Sequence, residues 1–187
     1  MKKIIIPFLL LCIVCTNCKK NNINEGDYIE DVSKKYTGTA SCTINGVSKT
    51  YYPQCSWLSN RINGDTLNFG FFKYNQFGEN RENIYINLIP NNFNKHRIYK
   101  NTLGPLAYSL YSTREADGDA ISGIYYLLES DTVNNYFQIT NYNANTLAIG
   151  GTFGAVYTRT VGVLSPTTPD TIRITNGVFN TIVNYKQ

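Results

Sequence analysis

Thr146-Leu147-Ala148-Ile149-Gly150-Gly151-Thr152-Phe153-Gly154-Ala155-Val156-Tyr157-Thr158 decides the fold class. Leu147, Ile149, Phe153, Ala155 and Tyr157 share one parity; Thr146, Thr152 and Thr158 share the other. Successive side chains of a strand point to opposite faces, so this pattern is a strand with one buried face. Gly150, Gly151 and Gly154 sit where a bulge or sharp coiling is expected. Leu67, Phe69 and Phe71 alternate likewise, as do Ile84, Ile86 and Leu88. Further runs lie at 106–112, 121–128 and 136–142, and no segment after Lys35 carries an apolar stripe of helical period.

Turn signals punctuate these runs. Asn-Gly suits a type I′ hairpin because both central residues need positive φ. Asn45-Gly46 pairs Ile44 with Val47, Cys42 with Lys49 and Ala40 with Tyr51. Asn176-Gly177 pairs Ile174 with Phe179 and Ile172 with Thr181 on the same rule, and Asn63-Gly64 and Asp117-Gly118 mark further turns. About nine to eleven short strands predict an all-β fold, an antiparallel sandwich or a closed barrel. An outer-membrane barrel would need lipid-facing apolar bands and aromatic girdles; the Asn- and Thr-rich alternate faces read instead as solvated.

Length and composition set the outer bounds. The chain has 187 residues, which suits one domain plus a short tail. Charged residues make up 16% and aromatics 13%, with 15 tyrosines, which excludes a highly charged disordered chain. The net charge is +4 from 17 basic and 13 acidic residues, and the basic residues do not cluster, so there is no nucleic-acid footprint.

The N-terminus reads as an address. Lys2 and Lys3 precede an apolar run from Ile4 to Cys15, too short for a spanning helix of ~20 residues and fitting a secretory signal. Thr16-Asn17-Cys18 then resembles the bacterial lipoprotein processing site, with Asn17 departing from the usual Gly or Ala. The resemblance implies a signal peptide over 1–17, lipid on Cys18 and a mature chain that starts there. The alternative is an ordinary secretory signal cut elsewhere. Several acyl chains together anchor a protein stably. Residues 18–35 are polar and read as a flexible spacer, leaving an all-β domain over 36–187.

Cysteine arithmetic follows from that reading. Of Cys12, Cys15, Cys18, Cys42 and Cys55, two leave with the signal and one carries lipid. The remaining pair, Cys42 and Cys55, is expected to form a disulfide in an oxidising compartment, contributing about 3 kcal/mol. The alternative is two buried thiols. Because Cys42 faces Lys49, a straight strand would carry Cys55 ~20 Å past it, so the bridge requires a reversal near Pro53.

Ala40-Ser41-Cys42-Thr43-Ile44-Asn45-Gly46 followed by Tyr51-Tyr52 resembles the opening hairpin of small Bacteroidota lipoprotein domains of unknown function. Phe137-Gln138-Ile139-Thr140, Gly151-Thr152-Phe153 and Ile174-Thr175-Asn176-Gly177-Val178-Phe179 resemble that family's later strands. The resemblance implies a β fold and an outer-membrane lipoprotein, on the periplasmic or the surface face. It brings no catalytic residues.

No residue set announces chemistry. His96, the single histidine, lies between Lys95 and Arg97 and reads as a strand-end or loop residue. Glu115, Asp117 and Asp119 form the densest acid cluster, either a calcium loop or a solvated hairpin tip. Glu79 and Glu82 flank Arg81; converging carboxylates can hydrolyse glycosides, but a polar turn explains them better. Gly150-Gly151 with Gly154 sits inside a strand, so it is no phosphate loop.

Adjacent tyrosines such as Tyr51-Tyr52 and Tyr125-Tyr126 must split between the faces of a strand. Some are therefore outside, and Trp57, Tyr51 and Tyr52 are the candidate ligand-binding residues. The expectation is a non-catalytic domain without cofactor or metal, held to a membrane by its lipid and binding a glycan or protein. The alternatives are a hydrolase using carboxylates and a lipocalin-like carrier of an apolar ligand.

Overall fold

The computed structural model describes residues 36–60, 64–100, 106–115, 120–161 and 169–184. The expected signal peptide, Cys18, the spacer to residue 35 and the Asp117-Gly118 turn lie outside these residues. The described chain is all-β, with eleven strands in one sheet and no helix. They are β1 (Gly38–Ile44), β2 (Val47–Asn60), β3 (Gly64–Tyr74), β4 (Asn80–Pro90), β5 (Lys95–Arg97), β6 (Tyr99–Lys100), β7 (Tyr108–Arg114), β8 (Ile121–Leu127), β9 (Tyr136–Asn143), β10 (Ala148–Val161) and β11 (Thr171–Asn184).

The pairings run round a ring of eight strands in the order β1-β2-β3-β4-β7-β8-β10-β11, with β11 returning to β1. β10 changes partner along its length: its first half pairs with β9 and its second half with β8. All the ring's neighbours are antiparallel, as short turns demand.

The first hairpin has the expected register, Ile44 opposite Val47, Cys42 opposite Lys49 and Ala40 opposite Tyr51. Asn45 and Gly46 supply φ of 47° and 84°. The second Asn-Gly does something else. β11 runs straight through Asn176-Gly177, and both β1 and β10 skip one residue there. Asn176 takes φ 53° as the extra residue of a bulge, so the expected hairpin is not formed. A positive-φ pair serves a bulge as well as a turn, and neighbours on both sides of β11 hold the strand straight.

Alternation predicts the core well, with two exceptions: Leu147, half-buried at φ 57° just before β10, and Leu88. Leu67, Phe69, Phe71, Ile84, Ile86, Ile149, Phe153, Ala155 and Tyr157 are all buried. Leu88 is not; it takes φ 58° in a bulge of β4, and Ile89 fills the core position instead. The Asn68 side chain holds that bulge by accepting from the Leu88 amide at 3.0 Å. The middle of the ring is filled by rings. Phe69 lies 4.5 Å from Phe137 and 5.1 Å from Phe179, and Phe71 stacks on Phe153 at 4.7 Å. Offset and tilted aromatic pairs of this kind add roughly 0.5–1.5 kcal/mol each beyond their area burial.

The expected Cys42–Cys55 disulfide is absent: both are buried, unbridged thiols. β2 continues unbroken through Pro53 from Val47 to Asn60. Cys42 therefore stays opposite Lys49 while Cys55 lies opposite Phe69 and Val183. Pro53 is tolerated because β2 exchanges β1 for β11 on one side near this point. Burial pushes both thiols up to about 12, which keeps them protonated and unreactive.

Candidate functional site

One end of the ring carries the β1–β2 turn, the β3–β4 turn and the approach to β11. Just inside it the odd residues of β2 and β7 and the even residues of β4 point inward. This parity brings Lys49, Tyr51, Glu82 and Tyr111 together. Lys49 Nζ donates to Glu82 Oε1 at 2.7 Å, and Lys73 Nζ stands 3.8 Å from the same oxygen. The Tyr51 and Tyr111 hydroxyls donate to Oε2 at 2.8 and 2.9 Å.

A carboxylate offers about four acceptor positions, and three of those of Glu82 are filled by Lys49, Tyr51 and Tyr111. Burial pushes its carboxyl up, but the Lys49 hydrogen bond and charge, the Tyr51 hydroxyl and Lys73 outweigh that and hold it below the usual glutamate range. Burial, and then the Glu82 charge, raise Tyr51 and Tyr111, which remain neutral donors.

A cavity of about 310 Å³ opens beside this network. Glu82 and Lys49 form its polar side, with Asn45, Thr113 and Ser122; Tyr111, Tyr125, Ile44, Val47, Pro169 and Ile172 form the apolar side. Asn45, Val47 and Pro169 on its margin are exposed. Tyr125 meets Tyr111 edge to face at 5.4 Å and donates its hydroxyl to the Pro169 carbonyl at 3.1 Å. Behind Tyr111, Tyr157 continues the series at 5.9 Å. Its hydroxyl and Ser109 Oγ are 2.6 Å apart, and Ser109 donates to the Tyr85 carbonyl at 2.7 Å. The inward tyrosines thus step from the cavity wall down to the core with their hydroxyls satisfied.

The structure separates the three sequence-predicted binding residues. Tyr51 is 4% exposed, and its hydroxyl serves Glu82, so it is no surface platform. Tyr52 faces the opposite side of β2, in an outer aromatic group with Tyr36 at 5.9 Å and Tyr74 at 6.0 Å. Trp57 lies six positions beyond Tyr51 and packs, partly buried, against the core. At about 3.3 Å per residue that is ~20 Å from Tyr51. These residues cannot share one small ligand.

The other candidates resolve residue by residue. Glu79 and Glu82 do not converge. Glu79 accepts from the Asn75 side chain at 2.8 Å across the β3–β4 turn and pairs with Arg81, whereas Glu82 faces the cavity. Among the described residues Glu82 is the sole carboxylate on the cavity wall, and its acidity is strengthened rather than weakened.

His96 holds Asn92 Oδ1 at 2.7 Å at the start of β5, and burial lowers its pKa. Asp117 and Asp119 of the acid cluster lie outside the described residues. Glu115 is exposed, and no group of three His, Cys, Asp or Glu able to hold a metal occurs among the described residues.

Tyr111, Tyr125, Lys49 and Glu82 were not singled out together by the sequence. The alternation around 106–112 and 121–128 places Tyr111 and Tyr125 inward. What it does not give is the register that sets β2 beside β4 across β3. Comparison of the chain with protein-family models, with curated proteins and with solved structures finds no significant match.

Proposed function

We propose that this chain is a lipid-anchored domain of the cell envelope, attached through Cys18, that binds a sugar-sized polar ligand without transforming it. The cavity beside Glu82 carries the binding part of this reading. It sets an exposed apolar rim, Val47 and Pro169, beside a polar wall of Lys49, Thr113 and Ser122, a combination that suits a ring with an apolar face and hydroxyl edges.

The lowered pKa and the isolation of Glu82 argue against hydrolysis. A general acid needs a raised pKa, and glycoside cleavage needs a second carboxylate across the bond. Glu82 has its pKa lowered and, among the described residues, no carboxylate partner in the cavity. Phe69, Phe71, Phe137, Phe153 and Phe179 occupy the middle of the ring, where a carrier of apolar ligands would need its hollow.

The anchor is tested by metabolic labelling with an alkyne fatty acid: wild type takes the label and Cys18→Ala does not. Equal labelling of both removes the anchor from the account. Binding is tested by native mass spectrometry of the mature chain against a panel of mono- and disaccharides. A one-to-one adduct lost in Thr113→Val supports the cavity; no adduct from any panel member overturns it.

A further inference from the structure

We infer that the outer wall over β5 and β6 docks on an anionic lipid surface, its cations meeting phosphate headgroups and its neighbouring loop residues entering the bilayer interface. This surface lies outside the binding cavity and does not depend on lipid at Cys18.

The cations of this wall have no counter-charge. Lys95, Arg97 and Lys100 form no ion pair with any carboxylate among the described residues, and their closeness is a local exception to the scatter of basic residues along the chain. Arg97 donates to the main-chain carbonyl of Glu129 at 3.0 Å, and the Glu129 carboxylate joins none of the ion pairs of the described residues. Strand parity sets the cations outside. Lys95 and Arg97 stand opposite Gln138 and Tyr136 of β9, while His96 between them stands opposite the buried Phe137.

Each cation rests on a tyrosine. Lys95 Nζ lies 3.9 Å from the centre of the Tyr136 ring, the Arg97 guanidinium 5.0 Å from that of Tyr99 and Lys100 Nζ 5.6 Å from that of Tyr126. Contacts within about 6 Å hold a cation at a ring face by its quadrupole. They consume none of the N–H donors by conventional hydrogen bonding, so donors remain for an anion. They also cover the ring faces, which a sugar would need for stacking. Phosphate oxygens fit what is left.

Three bulky apolar side chains border the cations: Phe93, Leu106 and Val133 are 58%, 51% and 76% exposed. Backbone ties place each beside the strip. The Phe93 carbonyl accepts from the side chain of Gln138, the partner of Lys95, at 3.3 Å. Ala107, next to Leu106, accepts the Tyr99 amide at 2.9 Å, and Asn135, two residues after Val133, accepts the Ile98 amide at 3.3 Å. Exposed apolar residues scattered singly need no explanation. Three around one unpaired basic strip combine apolar burial with attraction to anionic lipid, the two terms that hold a protein on a bilayer surface.

The test takes the complete mature chain from residue 18 with Cys18→Ala, so that no acyl chain contributes. Co-sedimentation compares vesicles of equal parts phosphatidylglycerol and phosphatidylethanolamine with vesicles of phosphatidylcholine alone. The anionic vesicles should bind roughly 10- to 100-fold more tightly, and added salt should narrow the gap. Lys100→Gln should weaken binding roughly fivefold, and Lys95→Gln, Arg97→Gln and Lys100→Gln together should remove most of the preference. Phe93→Ser with Leu106→Ser should weaken binding while leaving its salt dependence unchanged. All five residues are exposed, so the fold is not at stake. Equal binding to both vesicles, no binding to either, or a triple variant that binds as the parent does would overturn the inference. Capture of soluble polygalacturonate without vesicle binding would make the partner an anionic glycan and overturn it too. Acyl labelling at Cys18 is read separately, so the anchor and this surface can each fail without the other.

Discussion

Replacing Glu82 with glutamine keeps the shape of the side chain and removes its charge. The Lys49 ammonium and the Tyr51 and Tyr111 hydroxyls, at 2.7, 2.8 and 2.9 Å, then share one neutral oxygen, and an amide NH₂ faces groups that are themselves donors. Breaking one side of a fully buried ion pair costs about 3–5 kcal/mol. Glu82 and Lys49 side chains are 14% and 22% exposed, so water recovers part of the loss. We expect Glu82→Gln to destabilise the domain by roughly 2–4 kcal/mol, a fall in Tm of about 5–15 °C.

The effect should depend on pH in a defined sense. The folded-state pKa of Glu82 is lowered from 4.5, so its contribution is complete above that value and is lost as pH falls through the lower folded value. Urea unfolding at neutral pH and at about pH 2.5 measures both quantities: the wild type should exceed the variant by the full amount at the first and by less at the second. A neutral-pH difference below about 0.5 kcal/mol, or one undiminished in acid, would refute the network as described.

Three other perturbations have clear outcomes. Cys42 and Cys55, pushed up to about 12 by burial, should resist iodoacetamide in the native protein and alkylate fully in denaturant, as peptide mass mapping would show; a linked Cys42–Cys55 peptide would contradict the unbridged structure. Phe71→Ala removes a fully buried ring stacked on Phe153 at 4.7 Å and should cost about 3–5 kcal/mol in urea unfolding. Gly177→Ala places a Cβ 2.4 Å from the Phe153 carbonyl oxygen, whereas Gly46→Ala meets nothing within 4 Å and bears only the strain of φ 84°. Gly177→Ala should therefore be the more damaging of the two in thermal melts, with Gly46→Ala costing about 1 kcal/mol.

Parity made the strands and most of the core readable before any coordinates, because each buried face repeats every second residue. Ile149, Phe153, Ala155 and Tyr157 show this, as does the Asn45-Gly46 turn, whose register is set by its own two dihedrals. What parity could not show was where an extra residue enters. Leu88 and Asn176 are both extra residues in bulges, and each depends on a neighbouring strand far away in sequence. The site was less legible for the same reason. Glu82 reads locally as part of a polar turn with Glu79 and Arg81; only strand order places it between Lys49 and Tyr111. Tyr51, chosen as a surface aromatic, is drawn inside because its parity matches Cys55 and its hydroxyl finds a buried carboxylate. The disulfide expectation failed on one local point, the continuation of β2 through Pro53.

The most direct measurement is a two-dimensional amide NMR titration of the assigned, isotope-labelled mature chain with the panel of mono- and disaccharides. The account predicts saturable shifts concentrated at Lys49, Thr113, Ser122 and Tyr125, with Trp57 and the outer Tyr36, Tyr52 and Tyr74 unmoved. Shifts centred on Trp57 or on the outer tyrosines, or none across the titration, would contradict it.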